Sequence, residues 1–350
     1  MTRARLTIDL DALAANHAVI RAAASGARVA PVVKADGYGL GAGEVARRLW
    51  DEGARTFFVA RLTEATALRA ALDDGRDAAI YVLDGVGTSS TADFVAANLT
   101  PVLNSPRDID IWRSTARPAG LHIDTGMNRL GLTVDEAIAA RDLKIVHVMS
   151  HLASAADAAN PRNAIQLDRF RQARALFPGA KASLSASAGV FLGPDFAFDL
   201  VRPGVSLYGG GPLERSDPRF AAVATLEAPI LQIRTLRFGD AVGYGDGFVA
   251  DRTMQIGLLA AGYADGLLRR AKGVATGWLK GAPVPILIVS MDLIAVDLSA
   301  AEGARVGDLV ELLGPNALLD DLAAATATVA HECLVRLSAR AERVYLGRQP

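Results

Sequence analysis

The stretch VVKADGYGLG, residues 32–41, ends an apolar run on Lys34 and then turns through Asp36-Gly37, Tyr38 and two further glycines. Lysine is seldom fully buried without a partner. Two readings are open for it: an amine reaching into solvent from a strand end, or one held at a pocket mouth to form a Schiff base with an aldehyde. Further on, Arg129 in DTGMNRLG, His151 in SHLASA, Ser187 in SASAG and Arg202 in VRPG stand at or just after strand-like runs. Singly, each has a structural reading: a solvated strand end, a core histidine, a helix N-cap for Ser187. Jointly they offer an amine, two guanidiniums, an imidazole and a hydroxyl, with the backbone N–H groups of Gly204 and Val205 beside them. Glycine lets backbone approach a phosphate closely. A phosphate cradle opposite a strand-end lysine is what pyridoxal phosphate needs.

The order of elements decides whether these residues can meet. Eight strand candidates run along residues 1–215: 29–34, 56–60, 79–83, 100–104, 119–124, 144–151, 180–185 and 197–204. Between them lie segments such as AGEVARRLWDEG and AIQLDRFRQARALF, whose apolar residues recur at helical spacing. Eight such alternations predict parallel βα units closing into a TIM-type (β/α)8 barrel, with the active site at the C-terminal ends of the strands. A doubly wound open sheet is the alternative, but no GxGxxG follows the first strand. After about residue 215 the pattern becomes short apolar runs separated by Gly, Pro and Asp, and only 316–326 reads as a helix. This predicts a mostly-β domain over 216–350, with the boundary in GGGPLERSDP, residues 209–218.

Composition narrows the classes. The apolar fraction is 51% but aromatics make up only 6%, so Ala, Val and Leu must fill the core, which suits an α/β protein better than a β-sandwich. Thirty-seven basic against thirty-eight acidic residues leave a net charge of −1, and there is no basic run to hold nucleic acid or an anionic membrane. No apolar run approaches the ~18 residues of a membrane span. Cys333 is the sole cysteine, and the five histidines show no HExxH or HxH spacing, so no metal is expected. The expectation is a cytoplasmic protein.

The motifs, taken in order, resemble the alanine racemase family. VVKADGYGLG, IDTGMNRLG, SHLASA, SASAG, VRPGVSLYG, VGYGDGF, GYADG and VSMD follow one another as they do there, over essentially the whole chain. The resemblance implies a pyridoxal-phosphate enzyme that interconverts L- and D-alanine for cell-wall peptidoglycan, working as a homodimer with shared active sites. It implies that Lys34 carries the cofactor, that Tyr38, Ser187, Gly204 and Val205 hold its phosphate, and that Arg202 faces the pyridine nitrogen. Tyr244, from the partner subunit, becomes the second catalytic base, with His151 supporting it and touching Arg202. Arg129 and the backbone of Met291 hold the substrate carboxylate, and Tyr263 and Asp292 line the entrance.

The chemistry makes these roles intelligible. Inverting an α-carbon requires a proton to leave one face and return on the other, which one rigid base cannot do. A phenol ordinarily keeps its proton to about pH 10, so a tyrosine base needs positive charge beside it. A guanidinium at the ring nitrogen keeps its own proton, which leaves the pyridine a weaker electron sink and shifts the work to the two bases.

Three positions depart from the family's pattern. His122 stands where many members carry a lysine, carboxylated in some, that orients the carboxylate-binding arginine. His331 precedes Glu332 where Tyr-Glu is usual, and Ala186 replaces a common asparagine. These leave strict alanine specificity open, with a broader racemase that accepts serine as the alternative, because an added hydroxyl discriminates by only about 1–3 kcal/mol in an apolar pocket. A decarboxylase of similar architecture is disfavoured by Arg202 at the ring nitrogen and by the absence of a cysteine in the right segment. A non-catalytic cofactor-binding protein is disfavoured by residues 216–350, which carry Tyr244.

Overall fold

A computed structural model describes residues 3–72 and 75–347. They form two compact units, one of Ala14–Leu207 and the other of the described residues of Met1–Leu13 and Tyr208–Pro350. The chain opens with β1 (Arg5–Asp9), which belongs to the second unit.

The first unit contains eight short strands: β2 (Arg28–Val29), β3 (Thr56–Val59), β4 (Ala79–Val82), β5 (Thr100–Leu103), β6 (Ala119–His122), β7 (Ile145–Met149), β8 (Lys181–Ser183) and β9 (Leu200–Val201). Strands β3 to β8 pair in parallel in chain order, and β9 pairs in parallel with β2. The ring closes at both junctions. Val33 N donates to Phe58 O at 2.8 Å on one side, and on the other Asp199 N donates to Ala182 O at 3.0 Å and Arg202 N to Ser185 O at 2.8 Å. The expected (β/α)8 barrel is therefore present. Its strands, such as TFFV and AIYV, are apolar almost throughout, as strands covered on both faces must be.

The intervening helices use the ordinary signals. The helix Pro161–Ala175 is capped by Asn160, carries Pro at its start and buries Gln166, Leu167, Phe170 and Ala173. The helix Ala42–Asp51 buries Val45, Ala46 and Leu49 along one stripe.

The second unit is antiparallel. It comprises β10 (Ala224–Leu236), β11 (Ala241–Val242), β12 (Phe248–Val249), β13 (Met254–Leu259), β14 (Thr276–Leu279), β15 (Ala282–Val289), β16 (Ile294–Asp297), β17 (Leu309–Leu313) and β18 (Glu342–Leu346). The sheet runs β13-β16-β15-β14-β17-β10, and β10 pairs back onto β13, so these six strands form a closed barrel without free edges. Beyond the expected helix near 316–326, found at Leu319–Ala325, a second short helix spans Ala330–Val335.

One placement differs from the sequence reading. Strand β1 pairs antiparallel with Ala224–Glu227 of β10 and parallel with β18, whereas the 1–215 span counts it with the α/β barrel.

Candidate active site

Lys34 lies where the segment following β2 leaves the barrel, at the C-terminal end expected for a functional residue. The chain does not simply turn there. Ala35, Asp36, Gly37 and Tyr38 all have φ between 51° and 62°, a full left-handed turn. Such backbone costs non-glycine residues roughly 1–2 kcal/mol each. Strain of this kind persists only where its surroundings enforce it, and it clusters at functional sites. Here Glu64 Oε1 accepts the N–H of Ala35 at 3.0 Å, and Asp36 Oδ1 accepts that of Ala42 at 2.8 Å. Burial, with Arg129 adding to it, lowers the pKa of Lys34 below the ordinary lysine value; Glu64 and Asp84 oppose the shift. A larger fraction of the amine is therefore neutral and nucleophilic.

The same turn brings Tyr38 inward, 4% exposed. A Cβ built on Gly204 would fall 2.1 Å from the Tyr38 hydroxyl, so only glycine leaves room there. Ser187 Oγ accepts the N–H of Gly204 at 3.0 Å and of Ser206 at 3.3 Å. The Val205 N–H has no partner among the described residues, and the Ser206 hydroxyl is buried without one. Tyr38, Ser187, Gly204 and Val205 are thus brought together, with Ser206 added by the structure.

Arg202 is 3% exposed and, among the described residues, meets only neutral oxygens: it donates to Ser183 Oγ and, at 2.6 Å, to Ser150 O. Its guanidinium carbon lies 5.9 Å from the centroid of the Phe58 ring, which stacks on Tyr81. Burial pulls its pKa down to about 9, still cationic at neutral pH. His151 stands next to Ser150, and burial, followed by the charges of Arg202 and Arg129, brings it to about 3. Arg202 therefore acts on this imidazole through charge, while its hydrogen bonds go to Ser183 and Ser150.

Arg129 is exposed on a tightly built loop. Asp124 Oδ1 accepts the N–H groups of Gly126 and Met127, both at 2.9 Å, and Oδ2 that of Asn128 at 3.0 Å. Below it, Gln166 Nε2 donates to Thr125 Oγ1 at 3.1 Å and to His151 O at 2.9 Å, fastening the Arg129 loop to the His151 segment. Arg129 makes no hydrogen bond or ion pair among the described residues. Its guanidinium is free to meet an anion.

The remaining candidates lie in the second unit. Tyr244 is 94% exposed, in the turn between β11 and β12, whose Gly243 and Gly247 pack against Ile288. Tyr263 and Met291 are brought together: Tyr263 N donates to Ser290 O at 3.0 Å and Ala264 N to Met291 O at 3.1 Å. Asp292 is held by Arg340 at 2.6 Å, and the same arginine reaches the buried Asp265 at 3.2 Å.

The chain as a whole is similar to known proteins. The N-terminal domain family of alanine racemase matches residues 8–212 and its C-terminal domain family residues 223–345. A catabolic alanine racemase of Mesorhizobium japonicum is 42% identical, over 98% of this chain and 93% of that protein. A biosynthetic alanine racemase of Agrobacterium fabrum is 40% identical over the same shares. The chain belongs to the alanine racemase family. The crystal structure of alanine racemase from Bartonella henselae with covalently bound pyridoxal phosphate superposes with a TM-score of 0.93 at 35% identity, over 99% of this chain and 100% of that one.

Within this family the three departures can be placed. His122 is buried at the end of β6 and bonds Asn104 at 2.9 Å through Nδ1, not Arg129. Ala186 is half-buried, and its carbonyl accepts Val190 N at 3.3 Å. His331 is exposed on the helix Ala330–Val335. Sequence reasoning passed over Glu64, Asn104 and Gln166. Asn104 carried the same signal as Lys34, a polar residue ending an apolar strand, and Gln166 sits on the apolar stripe of its helix.

Proposed function

We propose that the protein is a pyridoxal-phosphate-dependent alanine racemase, interconverting L- and D-alanine with two bases, Lys34 and Tyr244. The observation that carries this is the cradle in which Lys34, on its left-handed turn, shares a barrel mouth with Tyr38, Ser187 and the glycine-only approach at Gly204.

The residues present fit the cofactor. The space kept open at Gly204, the unpartnered Ser206 hydroxyl and the free Val205 N–H suit a phosphate. Arg202, cationic with neutral partners only, suits an unprotonated ring nitrogen. Lys34 would hold the aldehyde, Tyr38, Ser187, Gly204 and Val205 the phosphate, and Arg202 the ring. When bound, pyridoxal phosphate supplies an electron sink for the charge left on the α-carbon.

The chain's own residues do the rest. Arg129 and the Met291 backbone would hold the substrate carboxylate, with Tyr263 and Asp292 along the entrance. Lys34 would take or return the proton on one face and the partner subunit's Tyr244 on the other. Because His151 is neutral, the positive charge available to the phenol is that of Arg202 and Arg129, and His151 would orient it by hydrogen bonding. In this reading residues 1–215 carry the cofactor, 216–350 lend the second base, and the enzyme works as a homodimer. The 94% exposure of Tyr244, with Phe238 exposed at 78%, supports that assembly. A sole, buried and unpaired cysteine suits the cytoplasm, where the D-alanine would feed peptidoglycan synthesis. A wider range including serine is the second reading, favoured by exposed His331 where the family usually has tyrosine.

A racemisation assay across small amino acids, with Lys34→Ala and Tyr244→Phe in parallel, tests the proposal. The first variant should fail to retain cofactor, and the second should slow α-proton exchange in one direction more than the other. Full alanine racemisation by either variant, or by a sedimenting monomer, refutes it.

A further inference from the structure

The left-handed turn after Lys34 is held from outside by a side chain of the helix that follows β3. Glu64 belongs to the helix Leu62–Ala71 that follows β3, and its carboxylate is divided between two elements. Oε2 accepts the N–H groups of Ala60 at 2.8 Å and Arg61 at 3.2 Å, where β3 passes into its helix. Oε1 reaches across to the N–H of Ala35, the residue next to Lys34. Capping the helix would occupy only one oxygen; the second is directed to a turn whose Ala35, Asp36 and Tyr38 adopt backbone that L-residues avoid. The turn's own bonds, such as Gly37 N to Val33 O at 2.9 Å and Gly39 N to Ala35 O at 2.8 Å, leave the Ala35 N–H for an outside acceptor.

We infer that Glu64 is a positioning residue for Lys34: its carboxylate fastens Ala35 to the end of β3, keeps the left-handed turn wound and so holds the Lys34 amine at the barrel mouth. This rests on the reading of Lys34 as the cofactor-binding lysine. The Glu64 carboxylate spends its bonds on the N–H groups of Ala35, Ala60 and Arg61, so its role is exerted through the backbone beside Lys34.

Glu64→Gln keeps the shape but offers one acceptor oxygen and an NH2 that opposes an N–H donor. Glu64→Asp keeps the charge but lacks the reach. The protein is purified with cofactor, stripped, exposed to pyridoxal phosphate, reduced with borohydride at timed intervals, and the Lys34 peptide quantified by mass spectrometry. Both variants should be labelled at least tenfold more slowly than wild type. In the reconstituted enzymes kcat should fall at least tenfold, with KM for alanine within twofold. Adding Ala35→Gly to Glu64→Gln should restore most of the labelling rate, because glycine adopts the left-handed turn without a Cβ penalty. Rescue at that position is not expected of a residue that only caps a helix.

Wild-type labelling rates in both single variants, or slow labelling that Ala35→Gly leaves unchanged, overturn the inference. Lys34→Ala separates the two readings: if label on the whole protein of this variant still accumulates at the wild-type rate, the assignment of Lys34 has failed, not the role of Glu64.

Discussion

His122 Nδ1 lies 2.9 Å from Asn104 Oδ1, and that contact fixes the imidazole's tautomer. The Asn104 amide nitrogen already donates to Leu83 O at 2.8 Å and Val102 O at 2.9 Å, so its oxygen can only accept. His122 must carry its proton on Nδ1, which leaves Nε2 a bare acceptor. Burial, followed by Arg202 and Arg129, brings its pKa to about 4, so it stays neutral. At the end of β6 this protein thus offers a fixed neutral acceptor. Asn104→Leu should remove the side-chain donor to the half-buried Leu83 and buried Val102 carbonyls and leave the buried imidazole N–H without its acceptor, at a cost on the order of 3 kcal/mol in urea unfolding. Nitrogen-15 NMR should place the wild-type proton on Nδ1; finding it on Nε2 would contradict the network.

His122, His147 and His151 together predict how stability depends on pH. Burial is the main cause in each, with Arg202 second, and it lowers them to about 4, about 3 and about 3. In the unfolded chain they titrate near 6.5. Because the folded values are depressed, the unfolded state binds more protons below pH 6.5. The associated stability is complete above that pH and is lost as pH falls toward 4. Each histidine should contribute a slope of about 1.4 kcal/mol per pH unit near pH 5. Urea midpoints at pH 7.5, 6 and 5 should fall accordingly, and His147→Leu should flatten the slope. A midpoint unchanged down to pH 5 would refute the buried-neutral assignment.

Gly204→Ala places a methyl 2.1 Å from the Tyr38 hydroxyl and 2.9 Å from its ring carbon, and Tyr38 is too buried to yield. We expect about 1–3 kcal/mol of destabilisation and at least tenfold weaker retention of pyridoxal phosphate on dialysis. Retention equal to wild type would show that the phosphate lies elsewhere.

Arg340→Ala removes the partner of Asp265, whose side chain is 3% exposed. Burial already raises the Asp265 pKa, against the Gly262 N–H and Arg340, which lower it. An acid with a raised folded pKa loses stability as pH rises through its unfolded value, and deleting the guanidinium should deepen that loss. The variant should be about 1–3 kcal/mol less stable than wild type at pH 8 and closer to it at pH 4. Equal deficits at both would show that Asp265 does not depend on this ion pair.

Much of the site was legible because chemistry-bearing residues follow apolar runs. Lys34, His151 and Arg202 each end a stretch whose burial the pattern announces, and a (β/α)8 barrel brings strand ends to one mouth. Arg129 was legible as a position but not as a free cation, since that depends on Asp124 claiming the surrounding N–H groups. Glu64 and Gln166 were missed because each acts across more than one element: Glu64 reads as an ordinary first-turn acid, and Gln166 as a polar residue in a helix.

The sequence by itself determined the eight βα alternations and the mostly-β character of the C-terminal part, since periodicity and residue type are local properties of the chain, and it put forward Lys34, Arg129, His151, Ser187 and Arg202 as candidates. Tertiary structure alone decided that β1 joins the second unit, that Lys34 stands on a left-handed turn held by Glu64, and that Arg202 bonds Ser183 and Ser150 while His122 turns to Asn104. Each of these is a choice among partners distant along the chain. Such choices are settled only when closing the barrel brings particular donors and acceptors within about 3 Å of one another.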